Sequence, residues 1–462
     1  MGQATRTTKL LLDLAERKRG GANTGKRTFL IETVALLTAA RAFYIDFFLN
    51  HADKLAERKS YYSEKQQQMR NRAISAHELL TWAEFHTVAT NEHPFPWRSW
   101  NFSERFPDLP FLYRRSVIKD AIGKVKAYLS NYVNWQQTGK KKGKPGLPGA
   151  SNHPMLYAGT FSLELDQVDR RKSFVRLKVY TGERWMWVNY PLKDSRFFEQ
   201  RRADPTWEQQ SPRLVLRSRS AELHFSQTRE VKVKKVKESK LDPDLVTVAV
   251  DLNVKNLAVI TVRRQQRIIE SIYVRDKGLD QHRYRHLKRI SKKQWLSGKP
   301  VKGEQSNRQL WGHVRRMNTD TARKTAHAIA RVCAKYPGCV LLFERLRKIK
   351  ARGVSKSRRL NRKQANQLRG QINRLTREQV YAQETVTVEV NPHGTSQYCA
   401  RCGAHGQRFS LRAGQRITGR GGKLFWCPVC QYEAQADFNA SANIHRSFYR
   451  EYHWQPPLQR SG

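Results

Sequence analysis

Acidic residues are scarce in this 462-residue chain, and long uncharged apolar runs are absent from its sequence. The longest apolar stretch, residues 30–49, is interrupted by Glu32, Arg41 and Asp46. A membrane span needs about 20 nearly uncharged residues, so we interpret this stretch as a core helix. The first residues, MGQATRTTK, lack the apolar segment of a signal peptide, and Arg6 breaks the myristoylation pattern. The sequence therefore predicts no association with a membrane.

The balance of charge points to a polyanionic partner. Lys and Arg number 87 against 39 Asp and Glu, which gives a formal net charge of +48. A charge of this size repels itself in a compact fold, which favours a nucleic acid as partner over a merely solvated basic surface. Apolar residues make up 39% of the chain and aromatic residues 10%, which excludes a disordered basic tail. Six cysteines are too few for a disulfide framework, so we expect a reducing compartment.

Within the first 240 residues, the spacing of apolar residues changes near residue 150 from a helical pattern to an alternating one. Helical spacing of apolar residues predicts helices over 29–53, 54–71, 73–91 and 113–134. A charged Gly/Pro loop at 138–149 then separates this helical part from a β-rich part, which we expect to be a barrel or sandwich. Alternating apolar and polar residues predict strands over 4–12, 156–165, 173–180, 184–192, 213–219 and 229–237.

From residue 245 the pattern predicts a third kind of unit. Continuous or alternating apolar segments at 245–252, 256–263, 267–274 and 338–344 indicate strands, and a basic region at 280–335 indicates helices. The first and last of these strands end in Asp251 and Glu344. A β-β-β-α-β order with carboxylates at strand ends is typical of an RNase H-like nuclease core.

Two interpretations compete for these acids and for Asp437, which begins a helix that runs to about Tyr449. Each could be an ordinary capping or salt-bridging residue, and taken singly that is the simpler interpretation. Together, three carboxylates from distant stretches suit two Mg²⁺ ions about 3.5–4 Å apart, which hydrolyse phosphodiesters in two-metal sites.

The cysteines give the strongest signal in the sequence. Two CxxC pairs separated by 24 residues predict one tetrahedral zinc site, made by Cys399, Cys402, Cys427 and Cys430. Disulfides or free thiols are the alternatives. The Gly- and Arg-rich segment between the pairs has too few apolar residues to fold without a metal. We interpret Cys333 and Cys339, in apolar context, as core residues.

These motifs resemble those of the TnpB transposon-encoded RNA-guided nucleases and the related small type V CRISPR effectors. The resemblance covers about residues 245–450 and rests on VAVDLNVKNLAVIT, LLFERL, NPHGTSQYCARCG and CPVCQYEAQADFNASANI. It implies a RuvC nuclease that uses Asp251, Glu344 and Asp437 with two Mg²⁺ ions. It also implies a zinc-bearing insertion that binds the target nucleic acid, a guide RNA, and a double-stranded DNA target beside a short motif.

The resemblance implies an α+β multidomain fold. A helical recognition domain would occupy 28–154 and a β-barrel wedge domain 155–240, with the strand and linker at 1–27 part of the wedge. An RNase H-like RuvC domain would occupy 241–462, with the zinc-ribbon insertion at 391–436. Such a protein would act in the cytoplasm of a prokaryotic-type cell, associated with the nucleoid, as a monomer or a homodimer.

Two positions depart from the family pattern. Ala436 and Lys423 stand where the family often has Arg. Neither change removes a metal ligand, but two other functions remain open. One is a guided DNA-binding protein that cleaves weakly or not at all, and the other is a transposon-associated recombinase on the same core.

A strongly basic stretch follows Glu344. Residues 345–377 contain 13 Lys or Arg and no acid, so the stretch lacks compensating acids for i,i+4 ion pairs within it. A solvated helix face with a flexible loop is one interpretation. We favour a loop that guides a nucleic-acid strand into the nuclease site through phosphate contacts. The residues that we select for these contacts are Arg358, Arg359, Arg362, Lys363 and Arg369.

Overall fold

The computed structural model describes residues 2–14, 25–64, 67–91, 93–140, 143–166, 168–193, 196–218, 220–233, 236, 242, 244–253, 256–265, 267–275, 278–298, 307–345, 368–419 and 422–451. The chain divides into two compact units. One comprises Thr5–Arg229, and the other comprises Met1–Ala4 with Glu230–Gly462.

The helices of the first unit form around a long apolar helix. They are α1 (Lys26–Asn50), α2 (Ala52–Ala56), α3 (Ala76–Thr87), α4 (Phe102–Arg105), α5 (Phe111–Gln137) and α6 (Arg196–Arg202). By length and composition α1 could cross a membrane, and half of its most apolar window is buried inside the protein. Arg41 of α1 is fully buried and pairs with Asp120 of α5, with Nε and Oδ2 2.9 Å apart. A paired charge at this position matches the predicted core helix.

The helix predicted over 54–71 is wrong over most of its length. Among the described residues of that range only those of α2 are helical, and β2 (Arg58–Ser63) and β3 (Gln68–Ala73) form an antiparallel hairpin. Its turn includes Gln67, whose φ of 48° ends any helical path. Both strands are almost wholly exposed, so the run has no buried face to favour a helix. Basic residues of the hairpin instead pair with Glu78, in the capping box that begins α3.

The remaining strands of the first unit form two sheets. The first has the order β4 (Phe161–Glu164), β5 (Phe174–Tyr180), β6 (Trp185–Pro191). In the second, β9 (Ala221–Val231) pairs with β1 (Gly2–Leu12), β7 (Glu208–Gln209) and β8 (Arg213–Leu216). The strand predicted at 229–237 lies earlier in the chain than expected: β9 begins at Ala221 and ends at Val231. One hydrophobic core joins these strands to α1, α3 and α5.

The second unit contains a five-stranded mixed sheet. Its order is β12 (Arg267–Arg275), β11 (Asn256–Arg264), β10 (Val246–Asp251), β13 (Val340–Glu344) and β14 (Val386–Val390). The pairs among β10, β11 and β12 are antiparallel, whereas β13 runs parallel to β10 and β14 parallel to β13. The predicted succession of three strands, helices and a fourth strand is present.

Helices cover both faces of this sheet, which explains the continuous apolar sequence of β10. They are α8 (Arg308–Lys335) and α9 (Arg369–Tyr381) on one face and α10 (Ala436–Glu451) on the other, and α7 (Leu279–Leu296) packs against α8. Val248 and Val250 face the core shared with α8 and α9, and Ala249 faces the core shared with α10. A smaller antiparallel sheet has the order β16 (Gln415–Thr418), β15 (Gln407–Arg412), β17 (Leu424–Trp426), β18 (Glu433–Gln435) and leads directly into α10.

Candidate active site and metal centre

Two of the predicted acids are brought together by strand pairing. In the parallel pair, Val250 of β10 lies opposite Phe343 of β13, and each strand then ends in its carboxylate. Asp251 and Glu344 therefore occupy corresponding positions on adjacent strands at the same edge of the sheet. Asp251 is only 6% exposed. The asparagine Asn253 donates from Nδ2 to Asp251 Oδ2 at 2.6 Å.

The third acid reaches the same edge from α10. Asp437 is the second residue of this helix, which packs across β10, β11, β13 and β14. Asn256, the first residue of β11, donates to its Oδ2 at 3.0 Å, and Gln435 Nε2 donates to the same oxygen at 3.0 Å. Arg408 of β15 lies 3.4 Å from Oδ1. Side chains from a strand and from the small sheet thus orient one carboxylate.

The three acids interact electrostatically. Burial raises the pKa of Asp251 to about 8, and the charges of Glu344 and Asp437 contribute to this rise. Burial also raises the pKa of Glu344, although a hydrogen bond from Thr395 and the charge of Arg369 oppose the shift. Like charges that are buried together disfavour ionisation unless a cation compensates them. The structure thus places Glu344 and Asp437 close enough to Asp251 for their charges to raise its pKa.

Thr395 and Arg369 are polar neighbours of this cluster: the first contacts Glu344 directly, and the second contacts the backbone next to Asp251. Thr395 Oγ1 donates to Glu344 Oε1 at 2.6 Å. Arg369, the first residue of α9, donates from Nε to the carbonyl oxygen of Leu252 at 2.9 Å and lowers the pKa of both buried acids. Sequence reasoning selected Arg369 for phosphate contact but overlooked Thr395, which lies in the NPHGTSQYC motif and so had a local signal.

The donor set fits hard divalent cations. All three side chains offer carboxylate oxygens, the ligands preferred by Mg²⁺, and the polar neighbours leave carboxylate lone pairs unused. Burial, together with the charges of Glu344 and Asp437, raises the pKa of Asp251, so without a cation the site disfavours the ionised form of this acid. Bound dications would reverse this penalty and favour the ionised carboxylates.

The four predicted cysteines converge on one point. Their sulfur atoms all lie within 4.8 Å of one another, and the Sγ–Sγ distances are 3.6 Å for Cys399–Cys430 and 3.5 Å for Cys402–Cys427. A tetrahedron of thiolates with Zn–S bonds of about 2.3 Å has sulfurs roughly 3.8 Å apart. The arrangement matches a closed structural zinc site.

Each CxxC pair forms the same backbone turn. The amide of Gly403 donates to the carbonyl of Cys399, and the amide of Gln431 donates to the carbonyl of Cys427. Both donors have left-handed backbone, with φ of 82° and 56° respectively. Gly403 adopts this conformation without strain, and a Cβ there would meet the guanidinium of Arg446. The turns aim both sulfurs of a pair at the same point.

The first cysteine turn is tied to the helix that carries the third acid. Asn439 donates to the carbonyl of Tyr398 and accepts from the amide of Ala400, and Asn443 donates to the carbonyls of Thr395 and Tyr398. Both asparagines are buried on α10. Sequence reasoning missed them, although two asparagines four residues apart mark one helical face. The cysteine cluster and Asp437 are therefore parts of one connected structure.

The other sequence expectations have mixed outcomes. Arg358, Arg359, Arg362 and Lys363 lie outside the described residues, so their phosphate contacts stay a prediction. The departures at Ala436 and Lys423 are structurally linked, since the amide of Ala436 donates to the carbonyl of Lys423 at 2.8 Å. Ala436 is buried with Cys399 and Phe425, in a core where a larger side chain would need space.

Comparison with known proteins identifies relatives of both parts of the chain. The family described as "Cas12f1-like, TNB domain" matches residues 370–444, and the "Aq_aa04 family" matches residues 18–181. A TnpB-like protein of Aquifex aeolicus (strain VF5), aq_aa05, is 30% identical over 248 residues, which are 51% of this chain and 76% of that protein.

Two solved structures share the fold at low sequence identity. One is a Cas12f1–sgRNA–target DNA complex, with a TM-score of 0.52, 12% identity, and coverage of 96% of this chain and 98% of that chain. The other is Alicyclobacillus acidoterrestris C2c1 in complex with single-guide RNA, with a TM-score of 0.59, 12% identity, and coverage of 96% and 88% respectively. These likenesses establish a mixed α+β fold of the same kind.

Proposed function

The chain belongs to the TnpB-like proteins, and from that premise we propose that it is an RNA-guided DNA endonuclease. Asp251, Glu344 and Asp437 would form its single RuvC active site on an RNase H-like core. The observation that carries the proposal is the convergence of these three carboxylates at one sheet edge, where β10 and β13 end side by side and Asn256 of β11 holds Asp437. A capping or salt-bridging role for each acid separately would not require them to converge.

The residues of the site have separable roles in phosphodiester hydrolysis. Two Mg²⁺ ions, when bound, would supply water activation and stabilisation of the leaving oxygen. The three carboxylates would hold those ions, and Asn253, Asn256 and Gln435 would fix the carboxylate orientations through their hydrogen bonds. Thr395 would keep Glu344 aimed at the same point.

Arg408 is relevant to whether the missing family arginines weaken cleavage. The family pattern often has Arg at two positions that are Lys423 and Ala436 here, and Ala436 is buried. Arg408 nevertheless brings a guanidinium to Asp437 from β15. A positive charge beside the third acid is thus retained from another element. This supports cleavage over the alternative of a guided protein that only binds DNA.

The partners follow from charge and from the relatives. A net charge of +48 suits a guide RNA and a double-stranded DNA target beside a short motif. Complexes with guide RNA and with target DNA are the states in which the structural neighbours were solved. The cluster of four cysteines would hold one structural zinc within the target-nucleic-acid-binding insertion.

The domain assignment completes the proposal. Residues 28–154 would be the recognition domain, 155–240 with 1–27 the wedge domain, and 241–462 the RuvC domain. The basic stretch after Glu344 would guide a DNA strand to the site. The protein would act in the cytoplasm of a prokaryotic-type cell, associated with the nucleoid, as a monomer or a homodimer.

Sequencing the RNA that copurifies with the protein tests the proposal. We expect a discrete RNA species whose binding weakens steeply with salt, because each neutralised phosphate releases counterions. Protein reconstituted with that RNA and Mg²⁺ should cut a matched duplex and spare a mismatched one. Cleavage that ignores the guide sequence would reject the proposal, and guided binding without cleavage would favour the runner-up function.

A further inference from the structure

Three histidines outside the active site meet between two helices. His282 and His286 lie one turn apart on α7, and His313 lies in the second turn of α8. Residues four apart on a helix share one face, so the two α7 imidazoles point in the same direction. The packing of α7 against α8 brings the third imidazole to that face.

The ring nitrogens are close enough to share one ion. One nitrogen from each histidine lies within 4.8 Å of the other two, and the Nε2 atoms of His282 and His286 are 2.9 Å apart. The ring centroid of His313 is 4.5 Å from that of His286 and 6.3 Å from that of His282. Zinc-bound nitrogens at about 2.0–2.1 Å from the metal are roughly 3.4 Å apart, a separation that lies between the 2.9 Å of the closest pair and the 4.8 Å limit for the cluster.

Without an ion the cluster is poorly satisfied. The facing Nε2 atoms require one ring to donate and the other to accept, which fixes opposite tautomers on neighbouring rings. The Nδ1 atom of His286 is buried and has no hydrogen-bond partner among the described residues. A buried ring nitrogen without a partner carries a desolvation cost.

We propose that His282, His286 and His313 form a second metal site, which binds one Zn²⁺ or a similar borderline transition-metal ion. Three imidazoles suit Zn²⁺, Co²⁺ or Ni²⁺ and do not suit Mg²⁺, which prefers oxygen ligands. Three protein ligands leave one tetrahedral position for water or another ligand. The site is separate in sequence and in ligand chemistry from the cluster of four cysteines.

The site would fasten α7 to α8. Because the ligands lie on both helices, the ion binds α7 and α8 only when they are packed together. Binding therefore stabilises the packing of the two helices. The helix α8 leads through Gly338 into β13, the strand that ends in Glu344. His313 lies near the other, N-terminal end of α8, so the ion would fix that end of the helix pair.

Metal content and zinc titration of the untagged, nucleic-acid-free protein test the proposal. We expect two tightly held Zn²⁺ per chain in the wild type and one in the double variant His282→Ala/His286→Ala. Loss of two ligands should weaken binding at this site by more than the about 10–100-fold that loss of an outer-shell partner costs. His327→Ala is the matched control, because His327 is an exposed histidine of α8 outside the cluster.

Cobalt substitution separates the two sites within one protein. The cluster of four cysteines should give thiolate-to-cobalt charge-transfer absorption, and the histidine site should add bands without that component. The double variant should lose only the added bands. One zinc per chain in the wild type under excess Zn²⁺, or two in the double variant with an unchanged cobalt spectrum, would overturn the proposal. Either result leaves the nuclease proposal standing, since that rests on the carboxylates.

Discussion

Replacing Asp251 by Asn should stabilise the metal-free protein locally, by an amount that grows with pH. The pKa of Asp251 is raised to about 8 in the folded protein, whereas an unfolded Asp has a pKa of about 3.9. The folded state therefore holds this proton when the unfolded state has lost it. Stability conferred by the protonated form is lost as pH rises from about 4 towards 8.

The slope of this effect is about 1.4 kcal/mol for each pH unit. Between pH 5.5 and 7.5 the wild type should thus lose about 2.5 kcal/mol relative to Asp251→Asn, which has no group to ionise there. Both pH values lie inside the window that the two pKa values define. Millimolar Mg²⁺ should shrink or reverse the difference, because the wild-type carboxylate gains a cation that the amide holds poorly.

Hydrogen exchange of the β10 amides measures this difference locally, which suits a chain of more than one unit. Comparing variant and wild type at the same pH cancels the intrinsic exchange rate. Asp320→Asn is the control, since Asp320 is an exposed acid of α8 that pairs only with Lys324 among the ion pairs of the described residues. A stability difference that is equal at pH 5.5 and 7.5 would show that Asp251 is not a buried member of a repelling cluster.

Three further predictions concern the neighbours of the site. Cys427→Ser should abolish stoichiometric zinc binding, which elemental analysis would show. It should also increase amide hydrogen exchange over 399–435 and at the start of α10. Amides that stay protected at the start of α10 would contradict the coupling of the cysteine cluster to Asp437. Arg369→Ala should move the acid limb of the cleavage pH profile to higher pH, because the guanidinium of Arg369 opposes the rise in the pKa of Asp251 and Glu344. The control variant Arg374→Ala should leave the profile unchanged. His445→Leu should cost about 1–3 kcal/mol in denaturant unfolding, because the buried hydroxyls of Thr247 and Thr261 each lose one hydrogen bond and keep only their second partners, Tyr449 and Ser441. An unchanged midpoint would refute this.

The sequence was most informative where chemistry restricts the residue type. The four cysteines and three acids were identified because zinc needs thiolates in pairs and because carboxylates are rare in this chain. The order of strands and helices from residue 245 onward could be predicted because β10 and β13 are buried on both faces. Strands buried in this way have continuous apolar sequences, which are easy to recognise.

The misses arose where tertiary contacts override local pattern. The exposed β2–β3 hairpin has no apolar periodicity, and its conformation depends on the turn at Gln67 and on pairing with Glu78. The polar groups that organise α10 are buried because strands and the first cysteine turn meet that helix. Among them, His445 bridges Thr247 and Thr261, and burial lowers its pKa to about 3, so it serves as a neutral bridge. Its role could not be read from a helix that looks merely amphipathic.

The nuclease function requires that Asp251 belong to a site that cleaves DNA. The direct measurement compares wild type and Asp251→Ala, each loaded with the copurifying RNA and Mg²⁺, for cleavage and binding of the same matched duplex. We expect the wild type to cut and the variant to lose cleavage while retaining nearly wild-type binding, because binding rests on the many Lys and Arg contacts elsewhere. Equal cleavage by the two proteins would contradict the assignment of the site.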